Sequence, residues 1–188
     1  MTTSLSSLPS WFDYQDYYGD VALRLAAGRD CVTAVEIGGF TGESSHYLAE
    51  LFEGLKVQLQ LYVVDPWMTE FLPEELKGRV LGDDVWEQFK HHNRNFIGKS
   101  IYPIKNTSLN ASSMFDPESL DFVFIDGDHS YAMVKEDIEN LHPALKSHGI
   151  MAGHDYDWGE VHLAVQQSIG QDRKITKHGR CWEVTKST

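Results

Sequence analysis

Cysteine is scarce in this chain: Cys31 and Cys181 are its two thiols in 188 residues. So few cysteines form no disulfide framework and no paired zinc-ligand spacing. Cys31 opens an apolar run, so a buried thiol is expected there. Long apolar stretches are missing too, and none approaches the ~20 residues needed to cross a bilayer. Residues 1–10 are polar and rich in Ser and Thr, without the apolar core of a secretion signal. A loose tail, no membrane partner and a cytoplasmic location are the expectations. Positive charge is also in short supply: 16 Lys and Arg face 28 Asp and Glu, for a net charge of -12. General nucleic-acid binding needs a basic face, so no nucleic-acid partner is expected. Solubility is the plain consequence of the charge. Internal repeats and low-complexity segments are absent as well.

What is present is a globular composition. Apolar residues make up 41% and aromatic residues 12%, enough for one domain with a sizeable core. The chain divides into a tail and helix, residues 1–30, and a main domain, residues 31–188. In the first part Trp11, Phe12, Tyr14, Tyr17 and Tyr18 precede a helical stretch, residues 21–27, that stops at Gly28. These aromatics either line a substrate mouth or cover one end of a sheet.

Apolar runs at residues 31–37, 57–65, 100–105, 120–125 and 150–153 predict strands. Helical spacing predicts helices over 43–52, 83–97, 110–115, 130–145 and 160–169. The helix over 130–145 is expected to bend at Pro143 and to end in residues 146–149. His91 and His92 are neighbours on a helix and share no face, so both are expected in solvent rather than as ligands. Residues 68–82 lack periodicity and predict a surface loop near the site. Residues 174–178 and 181–185 predict a terminal hairpin across Gly179-Arg180. Alternating strands and helices imply an α/β fold with a mostly parallel sheet.

Chemistry concentrates where strands end. The first strand runs into Gly38-Gly39-Phe40-Thr41-Gly42, three glycines in five residues, and then a helix. Glycines there permit positive φ and close approach of a ligand to the backbone. The second strand ends in Asp65, 29 residues after Glu36. That distance suits strand, helix and strand, with both acids at carboxyl ends of neighbouring parallel strands. A carboxylate there accepts ribose hydroxyls, as in dinucleotide folds. The fourth strand ends in Asp126-Gly127-Asp128-His129 and the fifth in His154-Asp155. Open parallel sheets bind ligands outside the carboxyl ends of their strands, so these groups should converge on one crevice.

The order Glu36-Ile37-Gly38-Gly39-Phe40-Thr41-Gly42, Val64-Asp65-Pro66-Trp67, Phe124-Ile125-Asp126-Gly127-Asp128-His129, Ala152-Gly153-His154-Asp155-Tyr156 resembles class I S-adenosylmethionine-dependent methyltransferases. It is most similar to the small group related to catechol O-methyltransferase and the macrolide-sugar O-methyltransferases. The resemblance implies a Rossmann-like, mostly parallel seven-stranded sheet with helices on both faces and a C-terminal antiparallel hairpin. Glu36 and the backbone of Gly38, Gly39, Phe40, Thr41 and Gly42 would hold the methionine end of S-adenosylmethionine. Asp65 would bind the ribose, with Trp67 packed nearby. Ser108, Asp126 and Gly127 would lie beside the adenine and the methyl-donor pocket. In metal-dependent members a divalent ion is held after strands four and five, which maps to Asp126, His154 and Asp155. The implied partner is a small hydroxylated acceptor such as a sugar or phenol, with a homodimer left open.

This chain departs from that pattern at His154, where an acid is usual. Imidazole suits Mn, Fe, Co or Zn better than Mg. Either a transition metal binds, or His154 is itself a base. His129 stands three residues after Asp126, where the catechol enzymes carry the lysine that deprotonates the acceptor. With an ordinary pKa near 6.5, a histidine is a suitable base at neutral pH, and Asp126 and His129 are the catalytic candidates. A second reading of His129 places it at the start of the following helix. A nicotinamide-dependent oxidoreductase requires G-x-G-x-x-G, and position 40 is Phe. A metal-dependent hydrolase built on Asp126, Asp128, His129, His154 and Asp155 stays open, but leaves Glu36, the glycines and Asp65 without a role. A catalytically silent binding domain is the third alternative.

Overall fold

The computed structural model describes residues 8, 10–72, 74–76, 78–169 and 174–187. In chain order the elements are α1 (Gln15–Ala26), β1 (Cys31–Ile37), α2 (Glu43–Leu55), β2 (Gln58–Asp65), α3 (Gly82–His92), β3 (Ile101–Lys105) and α4 (Ser108–Ser112). They continue with β4 (Leu120–Ile125), α5 (Tyr131–Leu141), β5 (Leu145–Gly153), α6 (Gly159–Ile169), β6 (Thr176–His178) and β7 (Cys181–Thr185). The seven strands form one sheet in the order β3-β2-β1-β4-β5-β7-β6. β1 to β5 pair in parallel, and β7 runs antiparallel to both β5 and β6. The strand order reverses between β1 and β4. A crevice opens at the carboxyl ends of those two strands, the usual ligand position in such sheets.

Period-two alternation in the strands sends side chains to two layers. Val32 and Ala34 of β1 pack with Tyr18, Leu48 and Phe89 on the face covered by α1, α2 and α3. Val35 and Ile37 pack with Val134, Ile138 and Val165 on the face covered by α5 and α6. Phe122, Val123, Phe124 and Leu120 of β4 are fully buried, as a central parallel strand requires. Truncating Phe124 to alanine would cost about 3–5 kcal/mol. α1 is fastened to β7 by Glu183, which accepts from Arg24 at 2.9 and 2.6 Å and from the Tyr17 hydroxyl at 2.9 Å. No described helix is long and apolar enough to cross a membrane.

Several local expectations shift. α1 starts at Gln15 rather than position 21, because Tyr17, Tyr18, Val21 and Leu25 form its buried stripe. The aromatics cover the sheet: Tyr18 meets Phe124 edge to face at 4.9 Å. Cys31 is exposed, against expectation, because it is the first residue of β1 and stands outside the layers; Cys181 is the buried thiol. α3 stops at His92, where the buried Asn93 side chain donates to Phe89 O and Gly42 O. α4 opens two residues early, capped by Thr107. α5 stops at Leu141, before a short 3-10 turn containing Pro143. Proline has no N–H to continue an α-helix. Residues 146–149 therefore belong to β5 and are not a helix end. Residues 69–71 form a 3-10 turn in the long loop, whose Pro73 and Lys77 lie outside the described residues, as does most of the expected tail. The hairpin forms as expected across Gly179, with β6 starting two residues late.

Candidate active site

The glycine loop is shaped by crowding. Gly38 has φ +92°, and a Cβ there would lie 2.1 Å from the backbone oxygen of Asp126. The ends of β1 and β4 thus approach so closely that no side chain fits between them. Gly42, at φ +83°, is similarly pressed by Asn93 Nδ2, 2.1 Å from where its Cβ would stand. Phe40, Trp67 and Asp155 also have positive φ, at 39°, 43° and 53°. Such backbone strain costs about 1–3 kcal/mol each and gathers at functional sites.

Asp65 is the loop's anchor. Its Oδ2 accepts from the N–H groups of Gly39 and Phe40, both at 3.0 Å, and its Oδ1 from Trp67 N–H at 2.6 Å. Burial pushes its pKa up, and these three donors pull it back. A carboxylate offers about four acceptor positions, so room for a ribose hydroxyl is narrow while the loop holds this form. Trp67 is 2% exposed and donates its indole N–H to Phe40 O at 2.8 Å. It supports the loop from behind rather than facing a ligand. Thr41 is buried, and His92, expected in solvent, donates from Nδ1 to its carbonyl at 2.8 Å.

Glu36 is fully buried. It accepts from Tyr18 Oη at 3.0 Å and from the Ser45 hydroxyl. Burial raises its pKa to about 7 despite these donors. Ser108 stands at the start of α4 and hydrogen-bonds Asp137 of α5, a carboxyl pushed by burial to about 6.

Beside this loop the ends of β4 and β5 bring Asp126, His154 and Asp155 together, with one donor atom from each within 4.8 Å of the others. His154 Nδ1 lies 3.7 Å from Asp126 Oδ1 and 3.4 Å from Asp155 Oδ2. His129 joins them: its Nε2 is 2.8 Å from Asp155 Oδ2, out of line for a hydrogen bond, and 3.7 Å from Asp126 Oδ1. Burial disfavours the His129 cation, but Asp126 and Asp155 outweigh burial and push its pKa to about 9. In this arrangement the ring is charged at pH 7, not poised near the value an unperturbed histidine would have. Burial alone would raise Asp155, but His129 and His154 hold its carboxyl well below the usual range. Asp128 does not join the group: its Oδ1 accepts from Ser130 N–H at 2.7 Å, at the start of α5. The five-residue hydrolase cluster is therefore reduced to four.

The donor set fits a divalent cation, since a buried imidazole and two carboxylates converge on one point.

Asp13 and Arg180 belong to the site without a signal in the sequence, and Tyr14, one of the aromatics expected at a substrate mouth or over a sheet end, joins them. Asp13 Oδ1 lies 2.8 Å from His154 Nε2, and Asp13 Oδ2 accepts from Arg180 Nη1 at 3.1 Å. Arg180 also donates to Asp155 and to Asp157. Tyr14 donates to Asp126 Oδ2 at 2.9 Å, and its ring stands 4.7 Å from that of His154. Trp11 stacks on Phe40 at 4.8 Å, and Ser10 bonds Glu43 at the start of α2. Residues 10–14 thus run across the crevice from the glycine loop to the triad.

Sheet order, the glycine loop and acidic strand ends together define the class I fold of S-adenosylmethionine-dependent methyltransferases. The chain belongs to the family described as Methyltransferase domain, which it matches over residues 35–156. It is 29% identical over 154 residues to the uncharacterized protein R132 of Acanthamoeba polyphaga mimivirus, covering 80% of this chain and 64% of that one. It is 26% identical over 133 residues to the uncharacterized protein y4gI of Sinorhizobium fredii (strain NBRC 101917 / NGR234), covering 71% of this chain and 14% of that one. This chain thus spans less than two thirds of either relative. Among solved structures the O-methyltransferase NovP superposes with a TM-score of 0.70 at 14% identity, over 93% of this chain and 79% of its own.

Proposed function

We propose that this chain methylates a hydroxyl of a small molecule, with S-adenosylmethionine as the donor and a divalent cation at Asp126, His154 and Asp155. The observation that carries the reading is the close fit of Gly38 against the Asp126 backbone, which makes the glycine loop and the acid–histidine group walls of one crevice. The fold neighbour NovP is an O-methyltransferase, which favours oxygen as the acceptor atom.

In this reading the loop of residues 38–42, Glu36 and Asp65 line the cofactor's pocket, although the N–H groups of Gly38, Gly39, Phe40 and Gly42 already donate within the protein, to Val64 O, to Asp65 Oδ2 twice and to Gly39 O. The cofactor supplies a sulfonium methyl: the acceptor oxygen bonds to its carbon, the carbon–sulfur pair stays on sulfur, and the acceptor proton passes to the protein. His129 is the proton acceptor. Its two carboxylate neighbours hold it protonated, so its base form requires that another cation take over those carboxylates. A divalent ion at Asp126, His154 and Asp155 would do so, and would lower the pKa of the acceptor hydroxyl. The imidazole among the ligands favours a transition metal over Mg.

The test is a screen of small hydroxylated compounds for S-adenosylhomocysteine release, with and without EDTA. Release that EDTA suppresses and Mn restores supports the reading. Release untouched by excess EDTA removes the metal from it, and release from none of the compounds counts against the activity.

A further inference from the structure

Each of the three donors of the candidate cation site meets a residue from one end of the chain. Tyr14 donates to Asp126 Oδ2 at 2.9 Å. Arg180 Nη2 donates to Asp155 Oδ1. Asp13 Oδ1 stands 2.8 Å from His154 Nε2. The Asp13 carboxylate is itself held, because Arg180 Nη1 donates to its Oδ2 at 3.1 Å. One guanidinium therefore spans Asp13 and Asp155. The chain around Asp13 is anchored on both sides: Trp11 stacks on Phe40, and Phe12 meets Tyr14 edge to face at 4.8 Å.

The two ring nitrogens of buried His154 face different groups. Nδ1 looks toward Asp126 Oδ1 and Asp155 Oδ2, at 3.7 and 3.4 Å, and Nε2 toward Asp13. A neutral imidazole carries one proton, and the nitrogen without it is the one that can hold a cation. With the proton on Nδ1, the Nε2 lone pair would face a carboxylate oxygen at 2.8 Å with no proton between them. With the proton on Nε2, the same contact joins a donor to a charged acceptor, and the Nδ1 lone pair is left facing the two acids. The N–H and Oδ1 are out of line for a full hydrogen bond in this arrangement. The Asp13 side chain is 51% exposed, so a small rotation aligns them without repacking the core.

We infer that Asp13 is a positioning residue for the cation site: its carboxylate holds the proton of His154 on Nε2 and so makes Nδ1 the ligand nitrogen. The inference rests on the cation reading above. A carboxylate behind a metal-bound imidazole fixes the tautomer and the ring orientation, and raises the basicity of the ligand. The Tyr14 ring, 4.7 Å from that of His154, restrains the imidazole plane from the same segment. Asp13, Tyr14 and Arg180 all lie outside residues 35–156, the part matched by the family. The two ends of this chain thus supply the outer support of a site whose ligands belong to the family domain.

The probe is zinc alone, a cation suited to imidazole, added to the full chain with its histidine nitrogens labelled for NMR. The zinc-saturated native protein should show the metal on His154 Nδ1 and a proton on Nε2, with that proton shifted downfield by its bond to a carboxylate. In Asp13→Ala at saturating zinc the same proton should move upfield. Calorimetry should show zinc binding to Asp13→Ala weakened by about tenfold or more, the scale of losing a partner behind a metal ligand. Zinc on Nε2 of His154, a native Nε2 proton without the downfield shift, or unchanged zinc affinity in Asp13→Ala overturns the inference and leaves the cation reading standing. No zinc binding by the native protein, or equal binding by His154→Ala, overturns the cation reading and the inference with it. Should Asp13→Ala fail to fold, the native spectrum decides, because it assigns the metal to one ring nitrogen without any variant.

Discussion

Tyr14 donates its phenol proton to Asp126 Oδ2 at 2.9 Å, joining residues 112 positions apart. Tyr14 is 7% exposed, with its ring 5.0 Å from Phe124 and 4.7 Å from His154. Burial, followed by the charge of Asp126, keeps its hydroxyl protonated far above neutral pH. The contact couples the first helix to the candidate metal ligand.

Hydroxyl and ring should separate on mutation. Tyr14→Phe keeps the packing and removes one hydrogen bond, so a stability loss of about 1 kcal/mol is expected. Tyr14→Ala also removes the ring, and about 3–5 kcal/mol is expected. Urea denaturation of both variants measures the difference; equal losses would mean that the ring contributes nothing.

Gly38 is held by sterics. A Cβ there would overlap the Asp126 carbonyl, and φ is +92°. Strain of about 1–3 kcal/mol and overpacking of about 1–3 kcal/mol predict that Gly38→Ala destabilises by roughly 2–6 kcal/mol. Gly54, in α2 with open space around it, is the control. Gly54→Ala should stabilise by about 0.5–1 kcal/mol, because alanine is the better helix former. The same urea titrations report both, and equal signs would contradict the account.

Buried carboxyls set a pH dependence. Burial raises Glu36 from 4.5 to about 7 and Asp137 from 3.8 to about 6. Between those values the folded state binds more protons than the unfolded chain, so stability falls as pH rises. The Glu36 contribution is fully present below 4.5 and lost as pH passes 7. Glu36→Gln should flatten this slope by about 2–3 kcal/mol between about pH 5 and pH 8. Urea midpoints at the two pH values check it, and an unchanged slope would place the titration elsewhere.

His129 should matter to rate and not to cofactor binding. His129→Ala is expected to lower kcat roughly 100-fold at neutral pH, the usual worth of a general base. The deficit should shrink at high pH, where the acceptor ionises unaided. Wild-type kcat in this variant would remove His129 from the chemistry.

Most of the site's framework was legible because parallel strands announce their ends. Apolar runs stopping at Glu36, Asp65, Asp126 and His154-Asp155 fixed which side chains could share a crevice. Roles were less legible than positions. Asp65 and Trp67 read as ligand contacts, and their part in fastening the glycine loop had no signal in the sequence. The His129 pKa depends on two carboxylates that only folding brings near. Asp13 and Arg180 meet across 167 positions, a contact set by how α1 and the hairpin close on the sheet. No local period encodes such a meeting. The early end of α5 was in the sequence, at Pro143, but Ile138 and Leu145 lie seven apart and mimic a continuing helical stripe.

The central claim is that the loop of residues 38–42, anchored by Asp65, binds S-adenosylmethionine. Calorimetric titration with S-adenosylhomocysteine tests it most directly. The account predicts one-to-one binding, tighter than that of NAD, and a loss of about tenfold or more in Asp65→Ala, the scale of a lost charged acceptor. No binding of S-adenosylhomocysteine, or tighter binding of NAD, would contradict it.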